Sequence, residues 1–562
     1  MNKLSLLFPD SDTDVRVLSK ETMHDLGFDM IVSALSKKES ERNIIFKMLS
    51  KLPSDPATIK FRADIFEDIL TFPELRNELQ TLLEKVDFLK TYGSFSKETD
   101  VQGVWDLMHR MEEMHDYIIA VEAIYNCLSN LDIKSEGLLR LRDYTKERYN
   151  DRGFKELKKD IEALRADTSN LKSVTLGVNL NQRFEAESMG LVSINSKPFT
   201  KSEVISNFTD FLSRKDDIQN TTDWNEKYQY RPMSQPADSS GLEKMAFLNM
   251  THGLSLLVDG ELGTNVMQYM DKVASHMVNR TVKNLKFIIS RHINADIHEI
   301  TDLIPEFMFY IRFEEFITRL KSIGCTFAKP EPILESGSVY DLKATGLYNL
   351  KLAIAAFDAK TDPKEIVTNE FYFDKDHMIY ILTGANRGGK TTITQAVGIS
   401  VLLAQHGIYV PADSFRFAPF DMILTHFPAD EDKTMDLGRL GEECQRFKDL
   451  YKEATEKSLL LLNESFSTTS YEEGYYIAFD AVKALRKKGI RTIYNTHMHK
   501  LGMELDGLNE GPGQGQVASL VSASKEGKRS YIVIVAPPEG TSYARDIAEK
   551  YGVTYDMLTE EC

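Results

Sequence analysis

Tryptophan and cysteine are scarce, with two Trp and four Cys among 562 residues. The cysteines, Cys127, Cys325, Cys444 and Cys562, lie far apart and form neither a CxxC pair nor a Cys/His cluster of metal spacing. Reduced thiols are expected, and no metal is implied by them. Basic residues are in deficit: 68 Lys and Arg against 85 Asp and Glu give a net charge of −17. That balance argues against nucleic-acid binding through bulk positive charge, but leaves room for a local basic lining. Long apolar runs are missing too. The opening Met1-Asn-Lys-Leu-Ser-Leu-Leu-Phe-Pro is too short for a signal peptide, and nothing later approaches the ~18 apolar residues of a membrane span. A soluble, cytoplasmic protein without membrane contact is expected. No internal repeat or low-complexity tract is present.

What the chain does contain is a phosphate-binding loop in its proper setting. The apolar run Ile379 to Leu382 reads as a buried strand, and Gly384-x-x-x-x-Gly389-Lys390-Thr391 follows it. An amphipathic helix then carries Ile393, Ala396, Val397, Val401 and Ala404. In such a loop Gly384, Ala385, Asn386, Arg387, Gly388 and Gly389 let the backbone curl so that successive N–H groups face the phosphates. The helix start at Lys390 to Thr392 adds its partial positive charge. Lys390 would reach the β and γ phosphates, and the Thr391 hydroxyl would ligate Mg²⁺. These residues point to ATP and Mg²⁺ as the ligands.

With about 150 residues per domain as a guide, a chain of this length should hold three or four structural units. Residues 1–165 read as successive helices with buried stripes such as Leu75, Leu79, Leu82 and then Leu107, Met111, Met114, Ile118, Val121. A helix dense in charge carries Phe154, Leu157, Ile161 and Leu164 and reads as long and exposed. The period then changes to two at Val174, Leu176, Val178 and Leu180, with a second strand at 190–195, so that residues 166–260 form an insertion with a β element and a long polar loop. Residues 261–345 return to helix, and Lys329-Pro-Glu-Pro332 reads as a linker. Residues 346–562 alternate strand and helix, which argues for a mostly parallel sheet covered by helices.

Within that last region Leu459 to Leu462 run into Asn463-Glu464. In ATPases with this loop the second strand ends at an acidic residue that holds Mg²⁺ through water, followed by a carboxylate that orients the attacking water. Glu464 suits the second role, and Asn463 and Glu464 are both expected to reach Mg²⁺ through water. Asn463 stands where Asp is expected, and its neutral amide is a weaker partner for a magnesium shell, so turnover could be lowered. Ile493-Tyr-Asn-Thr-His497 closes another buried strand with a histidine well placed to touch the γ-phosphate, whereas His499 reads as solvent exposed.

These residues together resemble the ATPase domain of the MutS mismatch-repair family. The family's Gly-Pro-Asn-Met-Gly-Gly-Lys-Ser loop stands here as Gly384-Ala-Asn-Arg-Gly-Gly-Lys-Thr391, and its Gly-x-Tyr-Val-Pro-Ala as Gly407-Ile-Tyr-Val-Pro-Ala412. Its apolar run into Asp-Glu stands as Leu459 to Glu464, its Ser-Thr-x-Asp-Gly resembles Thr469-Ser-Tyr-Glu-Glu-Gly474, and its Ala-Thr-His resembles Asn495-Thr-His497. The resemblance is specific from Phe371 to about Leu558 and looser before it. It implies an α-helical core with long lever helices and a small β-containing clamp, followed by an ABC-class P-loop ATPase domain that dimerises across its nucleotides. It also places Gly438 and Arg439, in Leu437-Gly-Arg-Leu-Gly-Glu-Glu443, where the family's signature segment reaches the partner's γ-phosphate.

On that resemblance the chain is expected to lack the mismatch-reading and connector domains and the nuclease tail. Phe72-Pro-Glu74 matches the mismatch reader by letters only, at a turn between core helices. DNA contacts are expected from Lys197, Lys201, Arg214 and Lys215 in the clamp, and from Lys272, Arg280, Lys283 and Lys286 on the second lever. The expected function is an ATPase, working as a homodimer, that couples closure on ATP to DNA binding in mismatch-related or branched-DNA processing. Two other classes remain open: a nucleotide-gated scaffold with negligible turnover, and an ABC-class ATPase whose levers hold protein.

Overall fold

The computed structural model describes residues 4–9, 15–85, 104–168, 173–180, 182, 186–195, 287–288, 291, 300, 302–333, 340–384, 388–428, 438–525, 528–538 and 551–560. Its elements form a mixed α/β architecture with a helix-dominated core and small β-sheets. Two compact units result, one of Met1–Lys90, Asn126–Tyr144 and Asp302–Cys562, the other of Thr91–Tyr125 and Thr145–Thr301. No described helix is long and apolar enough to cross a membrane. Cys127, Cys325 and Cys444 are free thiols, and Cys562 lies outside the described residues.

The chain begins with β1 (Val15–Val17), α1 (Lys20–Asp25), α2 (Phe28–Leu35), α3 (Glu39–Leu49) and β2 (Lys51–Pro53), the two strands pairing antiparallel. Next comes α4 (Pro56–Thr71), started by Asp55, whose carboxylate accepts the N–H groups of Ala57 and Thr58 while Pro56 occupies the first turn. Phe72-Pro73-Glu74 falls at the junction with α5 (Pro73–Lys85). Helices α6 (Val104–Ser129), α7 (Glu136–Asn150) and α8 (Arg152–Thr168) follow, then the antiparallel pair β3 (Ser173–Leu180) and β4 (Ala186–Asn195). Both the buried stripe of α8 and the period-two strands lie where the hydrophobic pattern placed them. Phe154, Leu157, Ile161 and Leu164 are all buried, and Tyr117 meets Phe154 edge-on at 5.9 Å.

The core of the first unit is organised around α9 (Ile304–Lys321), most of whose residues are buried and which touches α2, α3, α4 and α5. Phe307, Phe309, Tyr310, Phe313 and Phe316 are each at most 2% exposed. After it, the segment read as a linker is instead β5 (Pro330–Pro332), parallel to a strand described below as β9. Proline is tolerated there because β5 is an edge strand, where a missing N–H disrupts no central ladder. Lys329 fixes the entry by pairing with Asp64 at 2.7 Å and Glu67 at 2.6 Å on α4.

The remainder includes β6 (Tyr340–Leu347), α10 (Leu350–Ala359), β7 (Asn369–Asp374), β8 (Ile379–Thr383), α11 (Lys390–Gln405), β9 (Ser414–Phe417), β10 (Met422–His426), α12 (Gly438–Glu453), β11 (Ser458–Asn463), α13 (Tyr471–Lys488), β12 (Arg491–Asn495), α14 (His499–Met503), β13 (Val517–Lys525) and β14 (Lys528–Val535). Six strands form one sheet in the order β10-β11-β12-β8-β13-β14, parallel except for β13 with β14. Strands β8 and β10 are buried along their whole length, as the unbroken apolar runs require of a sheet covered on both faces. A second sheet, β5-β9-β6-β7, has no counterpart in the sequence reading.

Helix α11 ends against the helical core. Gly407, just past it, has φ +72°, and a Cβ added there would lie 2.5 Å from the Ala63 backbone nitrogen and 2.7 Å from the Arg62 carbonyl carbon on α4. Gly407→Ala is therefore expected to destabilise the fold by about 2–5 kcal/mol, from the left-handed backbone and the overpacking together. Equilibrium denaturation of the variant beside the wild type checks this; an unchanged midpoint would contradict the packing described.

Candidate functional site

Three strand ends converge. Leu382 pairs with Asn495, and Asn495 with Asn463, so the residues following β8, β11 and β12 emerge side by side at the carboxyl edge of the sheet. That edge, next to the central strand, is where open parallel sheets present their ligand sites. The loop after β8 has Gly384 at φ +138° and Gly389 at φ +87°, conformations that glycine adopts without strain. Gly389 starts α11, and Ser522 on β13 secures the turn by donating to the Gly388 carbonyl at 2.6 Å. Ala385, Asn386 and Arg387 lie outside the described residues.

Lys390 is 6% exposed and donates from Nζ to the Gly384 carbonyl at 3.1 Å. Burial lowers its pKa, and the charge of Glu464 acts in the opposite direction. The next residue, Thr391, donates its hydroxyl to Asn463 Oδ1 at 3.1 Å and accepts from Asn495 Nδ2 at 3.0 Å. Asn495 Nδ2 also bonds Asn463 Oδ1. Thr392 contributes its carbonyl to Asn349 Nδ2 at 2.8 Å, tying the start of α11 to that of α10.

Glu464 follows β11 in the left-handed region, with φ 52°, and its N–H bonds the Asn495 carbonyl at 2.8 Å. For a non-glycine residue this conformation costs about 1–3 kcal/mol and is kept only where neighbours impose it. The neighbours here are identifiable. Ser465 bonds His426 Nδ1 at 2.7 Å, the Tyr494 hydroxyl donates to the Ser465 carbonyl at 2.7 Å, and His426 Nε2 reaches the Glu443 carbonyl on α12 at 3.2 Å. Burial, and then the charge of Arg446, pushes His426 down to about 4, so it acts as a neutral buttress. The Glu464 carboxylate itself faces His497, Nε2 to Oε1 2.9 Å, with the imidazole half exposed.

His499 is half buried rather than exposed, and its Nδ1 is enclosed with no partner among the described residues. It opens α14, which packs on β8 and β13, and burial together with Lys390 and His497 lowers its pKa. Gly438 and Arg439 do open a helix, α12, as the glycine-rich turn suggested. All eight basic residues read as DNA contacts, Lys197, Lys201, Arg214, Lys215, Lys272, Arg280, Lys283 and Lys286, lie outside the described residues.

A cavity of about 770 Å³ opens over this edge. Gly388 to Thr392, Glu464 and His497 line it, together with Leu352, Ile366, Tyr531 and the acidic Asp362 and Glu365. Asn369 positions the Tyr531 turn: its side chain accepts the Val533 N–H at 2.8 Å and donates to the Tyr531 carbonyl at 3.3 Å. Tyr531 is thereby held at φ 58° with its ring against Gly389. No sequence signal marks Tyr531 or Asn369, because the left-handed turn and the side-chain bond to a strand edge are both tertiary features. The Lys390 cation and the apolar Leu352 and Ile366 with the Tyr531 ring, in a single cleft, suit a ligand with a charged group and a flat ring.

Of the family models that match the chain, one covers this site. A family model describing MutS domain V matches residues 380–535, and one describing the MutS2 N-terminal domain matches residues 54–323. Endonuclease MutS2 of Thermus thermophilus is 29% identical over 194 residues, 34% of this chain and 25% of that protein. Endonuclease MutS2 of Alkaliphilus oremlandii is 25% identical over 309 residues, 54% of this chain and 37% of that protein. The DNA mismatch repair protein MutS of Desulforamulus reducens is 37% identical over 147 residues, 26% of this chain and 17% of that protein. The chain thus spans well under half the length of the relatives it matches.

Proposed function

Because the chain belongs to the MutS superfamily, we propose that it binds and hydrolyses ATP at the cleft above β8, β11 and β12, and that nucleotide state controls its grip on DNA. The observation that carries the proposal is the convergence of Lys390, Thr391, Glu464 and His497, from three separate stretches of chain, in one cavity, with Asn463 bonded to Thr391 beside it. In this reading 384–391 is a P-loop of the ABC class. Residues 1–165 supply core and first lever, 166–260 the clamp, 261–345 the second lever and 346–562 the ATPase.

Lys390 would exchange its bond to the Gly384 carbonyl for the β and γ phosphates. The donor set fits Mg²⁺: it offers the Thr391 hydroxyl and the Asn463 amide oxygen, all-oxygen and few, as a cation that keeps most of its water requires. Among the described residues no cluster of His, Cys, Asp or Glu competes as a site for a softer metal. Bound Mg²⁺ would neutralise phosphate charge. Glu464 would accept a hydrogen bond from the attacking water and aim it in line with the γ-phosphorus. His497, in contact with that carboxylate, would hold it in place and touch the γ-phosphate. Gly438 and Arg439 would face the nucleotide of a second copy, making the functional unit a homodimer.

One observation favours a second reading. Asn463 is an amide where a carboxylate would strengthen the magnesium shell, which suits a nucleotide-gated scaffold with little turnover, acting on DNA or on protein. The test is binding of the purified chain to linear, mismatched and four-way-junction duplexes, with no nucleotide, ADP or a non-hydrolysable ATP analogue. Nucleotide-dependent, salt-sensitive preference for one duplex is expected. Absence of binding at moderate salt would remove DNA and direct the proposal to a protein partner.

A further inference from the structure

Asparagine is an awkward replacement for a carboxylate because its two ends are opposite in kind. A carboxylate has two equivalent acceptor oxygens, so either may face a hydroxyl or a hydrated cation. An amide presents an acceptor one way round and an NH₂ donor the other. At position 463 only one orientation is useful. With Oδ1 toward Thr391, the threonine proton is accepted and an Oγ1 lone pair is left for a cation. With Nδ2 toward Thr391, a donor points at the place where a hydrated Mg²⁺ would sit.

We infer that Asn495 is the residue that sets this orientation, so that Asn463 and Asn495 act as one neutral amide pair in place of a single carboxylate. Asn495 is 0% exposed, and its Nδ2 lies 3.0 Å from Thr391 Oγ1 and within hydrogen-bond reach of Asn463 Oδ1. A donor in that position attracts the Asn463 oxygen and repels its NH₂. The direction of the Asn495 amide is itself fixed by its surroundings. Its second polar atom, Oδ1, is buried with no partner among the described residues. Reversing the group would bury two unpaired N–H donors in the same spot, and orphaned buried N–H groups are rarer and costlier than an under-satisfied carbonyl. The strand register supports the pair, since Asn463 and Asn495 are direct neighbours across β11 and β12. Asn495 is thus a positioning residue, acting on the metal through Asn463. Magnesium-supported binding at this site then depends on two residues whose individual substitutions do not add.

The inference rests on the ATP-site reading and is tested by equilibrium binding of a fluorescent ATP analogue, measured in Mg²⁺ and in EDTA. Removing a group that orients a metal ligand typically weakens metal affinity by 10–100-fold, so Asn495→Ala should lose about 10-fold in Mg²⁺-supported binding and little in EDTA. Asn495→Leu, which fills the volume without a donor, should behave alike. The diagnostic result is rescue: Asn463→Asp has no wrong orientation, so the double variant Asn463→Asp with Asn495→Ala should regain the Mg²⁺ dependence of Asn463→Asp alone. A merely structural role for Asn495 would lower binding equally in Mg²⁺ and EDTA and would not be rescued. If wild type binds while both Asn495 variants keep its Mg²⁺ dependence, the amide-pair inference is overturned and the ATP site stands. If wild type binds no nucleotide, both fall together.

Discussion

Glu464→Gln should reduce phosphate release from ATP by about 10²–10⁴-fold, the range expected when a positioned general base is lost, while nucleotide binding stays close to wild type. Glutamine keeps the length of the side chain and a hydrogen-bond acceptor, so the cleft should keep its shape. What disappears is the charge that attracts the water's protons. The backbone argues that this residue is placed for a purpose. Glu464 sits at φ 52°, and the turn that holds it is pinned by Ser465, His426 and Tyr494. Such strain is kept where the surrounding structure over-determines it, and it is a common feature of reactive sites. Steady-state phosphate release and analogue binding on the same preparation separate the two effects. A variant as active as wild type would strip Glu464 of its role and leave the water to be oriented by some other group.

Lys390→Met should abolish tight nucleotide binding, by about 10²-fold from the loss of charge-assisted bonds to phosphate. Its effect on the nucleotide-free protein should run the other way. Lys390 is buried, and burial disfavours its charged form, so a methionine of similar shape should leave the resting fold at least as stable. A thermal melt reads both at once. Wild type should gain stability on adding ATP and Mg²⁺, because a ligand that binds only the folded state raises the melting point, and the variant should not. A variant that is unstable without nucleotide, or that still responds to ATP, would mean that the lysine supports the fold instead.

Much of the site was legible because its signals are local. The β8 strand, the glycine turn and α11 follow one another within a single stretch, and the apolar runs of β10 and β11 reveal themselves by needing burial on both faces. The same holds for α4, whose Asp55-Pro56 start is written in adjacent residues. Features built from distant partners were not legible. Pro330 to Pro332 read as a linker because proline is normally a breaker, and only the neighbouring β9 shows the segment to be an edge strand. His499 read as exposed because α14 is too short to display a face, yet it is half buried with its Nδ1 enclosed. Asn495 was visible as a letter in Asn-Thr-His, but its contact with Thr391 and Asn463 depends on the register of β11, β12 and β8.

The central claim is that the cleft over β8, β11 and β12 is an ATP site that needs Mg²⁺. Equilibrium titration of the purified wild-type chain with a fluorescent ATP analogue, in the presence and absence of Mg²⁺, tests it most directly. Saturable binding that tightens with Mg²⁺, is displaced by ATP and is lost in Lys390→Met is the predicted result. Binding that is absent, or that is unchanged by Mg²⁺ and by loss of Lys390, would contradict it.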